Sequence, residues 1–245
     1  MKKERNEENF FRLIKLLFTT FEVIRKVFEN KFGGNTLQTF LQTNKHRLFH
    51  LHTNRTNCCV GSMCLLPPNR ILQQQQFDLL FDISSQVQSH FQYRGRTLTQ
   101  TCSCINAKNI DASDLDLTLL SCLMTNCCSL SSLERQFLDE IRKQRNELSH
   151  IQKLSIGKND FNFRWRKIES SMNSLSVQLD PRFQQSLKDD VAAIKNDPVD
   201  KSVCMNMLEL IRERNEHLYK EIKKSIRRLC VSFLQYLFFK LCNQE

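Results

Sequence analysis

The chain has 245 residues, enough for one large helical domain or one domain with a helical extension. Its five glycines and four prolines are too few for a strand-rich fold, which needs turn residues every eight to twelve positions or so. With 40% hydrophobic and 25% charged residues the composition is typical of a folded globular domain. The net charge of +10 suits a polyanionic partner such as RNA, but a basic balance is as common in domains that bind only counterions.

No segment of the sequence predicts export or a membrane span. Residues 1–9 are charged and lack the apolar centre of a signal peptide. The most apolar stretch, residues 231–242, is shorter than the roughly 18 to 20 apolar residues that a membrane span needs. Eleven cysteines are an odd number in such a chain. We therefore expect a reducing, cytoplasmic compartment, free or metal-bound thiols and no membrane partner.

The first half of the chain predicts helices interrupted by one irregular insert. Apolar side chains recur three and four residues apart before Gly33-Gly34, the pattern of a helix with a glycine stop. The elements predicted up to residue 110 are a helix over 10–32, a helix over 36–52, a Cys-rich irregular segment over 53–69, a short helix over 71–83 and a polar loop over 84–110.

The second half predicts helices with clear starts. Ser131 and Glu134 have the spacing of a capping box, and Asp180-Pro181 is a typical helix opening. The predicted helices run over 113–123 with Asp114 and Asp116 in the first turn, over 131–151, from an Asn159 or Asp160 cap to 175, over 181–194 and over 201–241. No strand is predicted. The fold class is therefore all-α, a helical bundle with a Cys-rich loop insert and a long C-terminal helix.

The helix over 133–151 carries the residues that best indicate chemistry. Four apolar residues form a stripe along it: Phe137, Ile141, Leu148 and Ile151. Arg145 falls on the same stripe, and since an unpaired buried guanidinium is costly, it must be paired, solvated or used. His150 follows five residues later, roughly 140° around an ideal helix. Arg145 and His150 therefore converge only if the helix loosens near Ser149 or if two chains share the site.

The string Arg145-Asn146-Glu147-Leu148-Ser149-His150 resembles the R-x4-6-H signature of HEPN domains, whose second position is often polar. Three further segments match, in order, one HEPN branch, that of the DAZ-interacting zinc-finger ubiquitin ligase: residues 115–120, 126–128 and 161–168. The resemblance covers residues 9–200 and leaves 201–245 as a helical extension. A second R-x4-H copy at Arg212 and His217 lacks this context. No RING pattern follows, so ligase activity is not implied.

The resemblance implies a helical bundle that forms a homodimer and builds an endoribonuclease site from two facing motifs, with no metal or other cofactor for catalysis. In such a site His150 accepts a proton from a ribose 2′-hydroxyl or protonates the leaving oxygen. Arg145 holds the phosphate in a fork, and Asn146 orients either one. Not every HEPN domain cleaves RNA; some only bind nucleotides or protein partners.

The same residues have a second interpretation. An arginine and a histidine near the end of a helix are usually a C-cap interaction and a surface histidine. The chain is then a non-catalytic interaction or signalling module, in which Arg145 and His150 are structural. Further basic residues lining the Arg145 face would favour the RNA-handling function.

A cluster of His and Cys residues lies in and around the irregular insert. The residues best suited to bind a structural zinc ion are His52, Cys59, Cys64, Cys102 and Cys104. Imidazole and thiolate suit tetrahedral zinc, and a loop-rich insert gains stability from a metal. The spacing matches no zinc-finger template, so the alternative is that these side chains are small apolar fillers and exposed thiols. Core positions are predicted for Cys122, Cys127 and Cys128.

The last predicted helix has a seam like that of a coiled coil, with one polar Asn. Its members are Leu208, Ile211, Asn215, Leu218, Ile222, Ser225 and Leu229. A basic face binds RNA or keeps the helix soluble, and it comprises Lys223, Lys224, Arg227 and Arg228. The seam predicts protein partners or, equally, a helix that packs on its own domain.

Overall fold

The structure, a computed structural model, describes residues 2–52, 71–82, 91–100, 102 and 105–212, with the backbone alone at residues 2–3, 91–94 and 98–100. Helices make up most of these residues. The predicted all-α class is therefore confirmed.

The helices, numbered in chain order, are α1 (Lys2–Lys31), α2 (Leu37–His52), α3 (Gln74–Leu80), α4 (Leu117–Cys127), α5 (Ser132–Ser149), α6 (Lys158–Ser176), α7 (Pro181–Asn196) and α8 over residues 201–212. The strands are β1 (Phe81–Asp82), β2 (Phe91–Arg94), β3 (Thr97–Gln100) and β4 (Asn106–Ala107), and a 3-10 turn spans Ala112–Asp114. None of these described helices combines the length and apolar character that crossing a bilayer requires.

Three helix boundaries follow from local signals in the sequence. α1 ends before Gly33, whose φ of +59° is in the left-handed region that glycine adopts without strain. At the start of α5, Ser131 N donates to the Glu134 carboxylate at 2.7 Å and Glu134 N donates to Ser131 Oγ at 3.2 Å. α7 begins at Pro181, and the Asp180 carboxylate accepts a 2.8 Å hydrogen bond from the backbone N–H of Arg182, the second residue of the helix. These predicted boundaries are confirmed.

Several predicted helix starts are displaced. α1 begins at Lys2 rather than at residue 10, and α3 begins at Gln74 rather than at residue 71. Asp116 is the N-cap of α4 rather than part of its first turn, and its carboxylate accepts from Leu119 N at 2.7 Å. α6 begins at Lys158, ahead of the predicted caps Asn159 and Asp160. Before both α4 and α6, neighbouring polar residues give the same local signal, so the first residue of the helix cannot be chosen from that signal alone.

The stretch predicted as a loop, residues 84–110, contains strands. β2 and β3 pair antiparallel along their full length, and Gly95 in the turn between them has a φ of +64°. A positive φ at this position suits a tight hairpin. β4 pairs antiparallel with β1. The prediction that the chain has no strand was therefore wrong, although the strands are short.

The described residues form two compact units. The central unit comprises residues 19–140 and 169–189, and the terminal unit comprises residues 2–18, 141–168 and 190–212. The predicted domain division at residue 200 stays a prediction.

Aromatic side chains and side-chain amides organise the central unit. Phe28 and Phe40 pack edge to face with ring centroids 5.3 Å apart. Gln38 of α2 donates to the carbonyl of Ala107 at 3.1 Å, and Gln42 accepts from the amide of the same residue at 3.1 Å. The two glutamines therefore bond to the backbone of the two-residue strand β4.

The terminal unit buries apolar side chains from α1, α5, α6 and α8. Almost completely buried are Phe10, Leu13, Ile141, Leu148, Trp165 and Leu208. Arg12 donates hydrogen bonds to the carbonyls of Lys195 and Asp197 at the end of α7. A cation there is favourable because the last carbonyls of a helix lack partners within the helix.

The described part of the C-terminal seam is buried within the chain. Leu208 and Ile211 are 0% and 4% exposed. For this part of the helix, packing on its own domain is the interpretation that the burial favours. The remainder of the predicted seam, from Asn215 onward, and the predicted basic face lie outside the described residues.

Candidate functional site

Arg145 lies on the buried side of α5, as its place on the apolar stripe predicts. Its exposed fraction is 6%, against 0% for Ile141 and 1% for Leu148 on the same stripe. Asn146, the next residue, is exposed. α5 therefore carries a guanidinium on its buried face and an amide on its solvent face at consecutive positions.

His150 lies exposed in the turn that follows the end of α5 at Ser149. Ser149 Oγ donates to the carbonyl of Asn146 at 2.7 Å, and Ile151 N donates to the carbonyl of Leu148 at 3.3 Å. The second bond spans three residues, so the last turn closes in the tighter 3-10 manner. The regular helical phase stops before His150, so His150 lies exposed in the turn while Arg145 is buried on the helix.

Arg212 binds the backbone on both sides of His150. Its Nη2 donates to the carbonyl of Ile151 at 2.9 Å and its Nε donates to the carbonyl of Ser149 at 3.3 Å. This cation stands at the negative end of the α5 dipole and satisfies open carbonyls of the helix end. The sequence shows Arg212 only as part of a second R-x4-H copy. Its contacts join residues 61 and 63 positions apart, which no local pattern signals.

Arg164 of α6 pairs with both acidic side chains of segment 141–168. Its Nη1 lies 2.5 Å from Glu147 Oε2, and its Nε lies 3.0 Å from Asp160 Oδ1. Nη1 also donates to Gln144 Oε1 at 3.1 Å. Burial lowers the pKa of Arg164, but hydrogen bonds and charge from Glu147 and Asp160 outweigh burial and raise that pKa. Arg164 therefore stays charged and fixes the side chains next to Arg145 and Asn146 on α5.

Segment 141–168 is strongly basic. It contains eight Lys and Arg residues and two acids, a net charge of +6 of the +10 of the whole chain. Both acids are engaged by Arg164. A surface of this sign attracts polyanions and raises their association rate. On α5 itself, however, the basic neighbours Arg142 and Lys143 are exposed whereas Arg145 is buried, so these two cations do not line the Arg145 face.

The side chain of Cys102 contacts an imidazole outside the predicted ligand set. His46 Nδ1 lies 3.4 Å from Cys102 Sγ, and the rings of His46 and His50, one turn apart on α2, have centroids 4.8 Å apart. Burial lowers the pKa of His46, and burial followed by the charge of His46 lowers the pKa of His50 to about 4. Both rings are therefore neutral at neutral pH, the form that can bind a metal ion.

Two of the predicted zinc ligands, His52 and Cys102, lie in the described residues. The His52 ring stacks on Phe77, with centroids 4.3 Å apart and 10° between the planes. The predicted ligands outside the described residues are Cys59, Cys64 and Cys104. Within the part of the chain that the structure describes, no group of three or more His, Cys, Asp or Glu side chains is placed to hold a metal ion.

Cys127 and Cys128, at the end of α4, are protonated thiols. Together with Cys122 they are half-buried, where the sequence predicts core positions. Burial raises the pKa of Cys127 to about 12 and the pKa of Cys128 to about 11. Because the thiolate is the form that binds metals and attacks electrophiles, these two residues are poor candidates for either role.

Comparisons of the chain with protein-family models, with curated proteins and with solved structures give no match. A function for this chain therefore has to be argued from its own residues. The residues that carry the most chemistry are those at the end of α5 and on the first half of α6, all in the terminal unit.

Proposed function

We propose that this chain is an RNA-handling domain of the HEPN type, a metal-independent endoribonuclease whose Arg145, Asn146 and His150 form a site shared by two copies. The observation that carries the proposal is the exposed His150 at the end of α5, five residues after the buried Arg145. The segment that contains both residues has a net charge of +6, which suits a phosphate backbone.

RNA carries its own nucleophile, the ribose 2′-hydroxyl. In the proposed reaction the 2′-oxygen attacks the adjacent phosphorus, and the bond from phosphorus to the 5′-oxygen of the next nucleotide breaks. One histidine accepts the 2′ proton, and a second gives a proton to the departing 5′-oxygen. The products end in a 2′,3′-cyclic phosphate and a 5′-hydroxyl. Each chain supplies one His150, so a homodimer supplies the acid and the base together.

The remaining motif residues act on charge and position. Negative charge on the phosphate oxygens grows as the 2′-oxygen attacks, and Arg145 stabilises that charge. Asn146, exposed beside it, orients the phosphate or the imidazole. Arg212 is a positioning residue, because it holds the carbonyls on both sides of His150 and so fixes the backbone of the proton-transfer group.

Purified protein is expected to cleave single-stranded RNA in the presence of EDTA, because no proposed step uses a metal ion. The rate per chain should rise with protein concentration as dimers form. Mass spectrometry of a short synthetic RNA should find 2′,3′-cyclic phosphate ends, and replacing the ribose at the cleaved position with deoxyribose should prevent cleavage there. Cleavage that requires added magnesium, or that leaves 3′-hydroxyl ends, contradicts the proposed reaction.

A second candidate function is a non-catalytic interaction module, and the burial of Arg145 to 6% exposure favours it. A guanidinium on the buried face of α5 can serve the fold, with His150 as a surface residue. Protein partners then bind through the predicted C-terminal helix, most of which lies beyond the described residues. Variants at Arg145 that keep the volume of the side chain separate the two functions.

We also propose a structural zinc ion in a reducing, cytoplasmic compartment, with the predicted ligands His52, Cys59, Cys64, Cys102 and Cys104. The described cysteines are thiols rather than disulfides, which supports a reducing compartment. The neutral imidazole of His46, 3.4 Å from Cys102 Sγ, adds a donor of the right chemistry beside one of these ligands.

Elemental analysis of the purified protein is expected to find close to one zinc per chain. The double variant Cys102→Ser, Cys104→Ser should lose the metal, because both predicted thiolate ligands are removed. The matched control is Cys127→Ser, Cys128→Ser, which removes two thiols that stay protonated and should keep the zinc. If the wild type contains no zinc and chelation leaves its thermal midpoint unchanged, the insert cysteines are apolar fillers.

A further inference from the structure

Helix α6 presents an exposed aromatic side chain between two cations. Phe163 is 55% exposed. Around an ideal helix Arg166 lies about 60° to one side of Phe163 and Lys167 about 40° to the other. Trp165 points the opposite way and is 2% exposed. Phe163, Arg166 and Lys167 are together termed the Phe163 surface.

Lys167 contacts the aromatic ring, and Arg166 lies beside it on the surface of α6. Lys167 Nζ lies 4.8 Å from the centroid of Phe163, a cation–π contact. Arg166 is exposed, and its Nε donates to the carbonyl of Asn162 at 3.2 Å. The positive groups and the exposed ring are therefore placed on one side of α6.

We infer that the Phe163 surface binds single-stranded RNA, with an unpaired base stacked on Phe163 and phosphates against Arg166 and Lys167. Single strands offer a flat base and a phosphate at each nucleotide, and aromatic rings beside cations bind both. A duplex keeps its bases stacked inside, and an acidic peptide meets the cations but gives the ring no base to stack on. The inference rests on the proposed RNA function and specifies the form of RNA that it takes.

The Phe163 surface is linked to the motif helix through Arg164. Around α6, Lys167 lies between Phe163 and Arg164. Arg164 in turn bonds to Glu147 and Gln144 of α5, at 2.5 and 3.1 Å. A strand bound on this surface therefore lies on the side of α6 that connects to the helix carrying Arg145 and Asn146.

The test is fluorescence anisotropy with a short, labelled single-stranded RNA whose riboses are 2′-O-methylated, so that it cannot be cleaved. Phe163→Leu is expected to weaken binding about fivefold or more, because leucine has no π-face for a base. Phe163→Tyr should bind as the wild type does. The matched control is Phe183→Leu in the central unit, since Phe183 also lies under a cation, with Lys26 Nζ 5.3 Å from its centroid.

Two further measurements separate stacking from charge. Lys167→Gln is expected to lower the slope of log Kd against log salt by about 0.7, the value for one phosphate contact on a single strand. A duplex of the same sequence should bind with an affinity that does not depend on Phe163.

The outcomes distinguish the Phe163 surface from the nuclease. Equal binding by wild type and Phe163→Leu overturns the proposed RNA site at the Phe163 surface. RNA cleavage by the wild type would then still support the proposed nuclease function. Phe163-dependent binding without any cleavage supports the surface and refutes the nuclease. If polyglutamate displaces the RNA, and polyglutamate binding depends on Phe163 as RNA binding does, the Phe163 surface is not an RNA site. It is then assigned to an acidic protein partner. A wild type that binds no RNA overturns both.

Discussion

His150→Ala is expected to slow cleavage of single-stranded RNA by about 10²- to 10⁴-fold, the usual contribution of a positioned acid or base. The affinity for RNA should change little, because His150 transfers a proton and does not hold the phosphate. The side chain is exposed in the turn after α5, so its truncation leaves no cavity in the core. Single-turnover rates with excess protein measure the chemical step, and anisotropy with 2′-O-methyl RNA measures the affinity.

Gln152→Ala is the matched control for this variant. Gln152 is exposed in the same loop and cannot transfer a proton at neutral pH. Its rate should stay near that of the wild type, which excludes a general effect of altering the loop. Equal rates in wild type and His150→Ala would show that His150 takes no part in the reaction and that a contaminating nuclease cleaves the RNA. The interaction module would then be the better function.

Helix starts that depend on neighbouring residues could be predicted from the sequence. The capping box of Ser131 and Glu134 forms as expected, because both donors and both acceptors lie within one turn. Before α4 two acids compete for the same role. Asp116 caps the helix, while the carboxylate of Asp114 accepts from the backbone amide of Asp111, the N-cap of the preceding 3-10 turn, at 3.0 Å. Local chemistry allows either arrangement, so the predicted start was displaced.

The strands could not be predicted because their pairing is not local. β1 and β4 are two residues long, too short to show the alternation of a strand, and they pair across a long stretch of sequence. The hairpin of β2 and β3 lies in a polar segment with one glycine, Gly95, at its turn. A strand signal of this kind is indistinguishable from that of a polar loop.

The residues of the candidate site also fall into those that local sequence predicts and those that only tertiary contacts reveal. The burial of Arg145 follows from its place between Ile141 and Leu148, and the structure bears it out. Arg212 is recognised only from its tertiary contacts with the end of α5. The sequence analysis missed His46, although its spacing of one helical turn from His50 puts both rings on one face of α2 and could have indicated it.

Arg145→Met is expected to weaken RNA binding by about 10- to 100-fold, the value of a charge-assisted hydrogen bond to phosphate, and to slow cleavage further. Methionine keeps the length of the buried stem, so the free energy of unfolding should change by less than about 1.5 kcal/mol. Arg145→Lys should restore neither activity, because an ammonium lacks the planar fork of a guanidinium. Urea unfolding and RNA anisotropy are measured on each variant.

The interaction-module function predicts the reverse pattern for Arg145→Met. If the guanidinium serves the fold, its loss leaves buried groups unsatisfied and lowers the free energy of unfolding by about 1 to 3 kcal/mol. RNA affinity should then fall no further than in Arg142→Met, which removes the same charge from an exposed position on α5. A loss of affinity without a loss of stability assigns Arg145 to the phosphate. A loss of stability without a specific loss of affinity assigns it to the fold, and a nuclease site at this helix is then refuted.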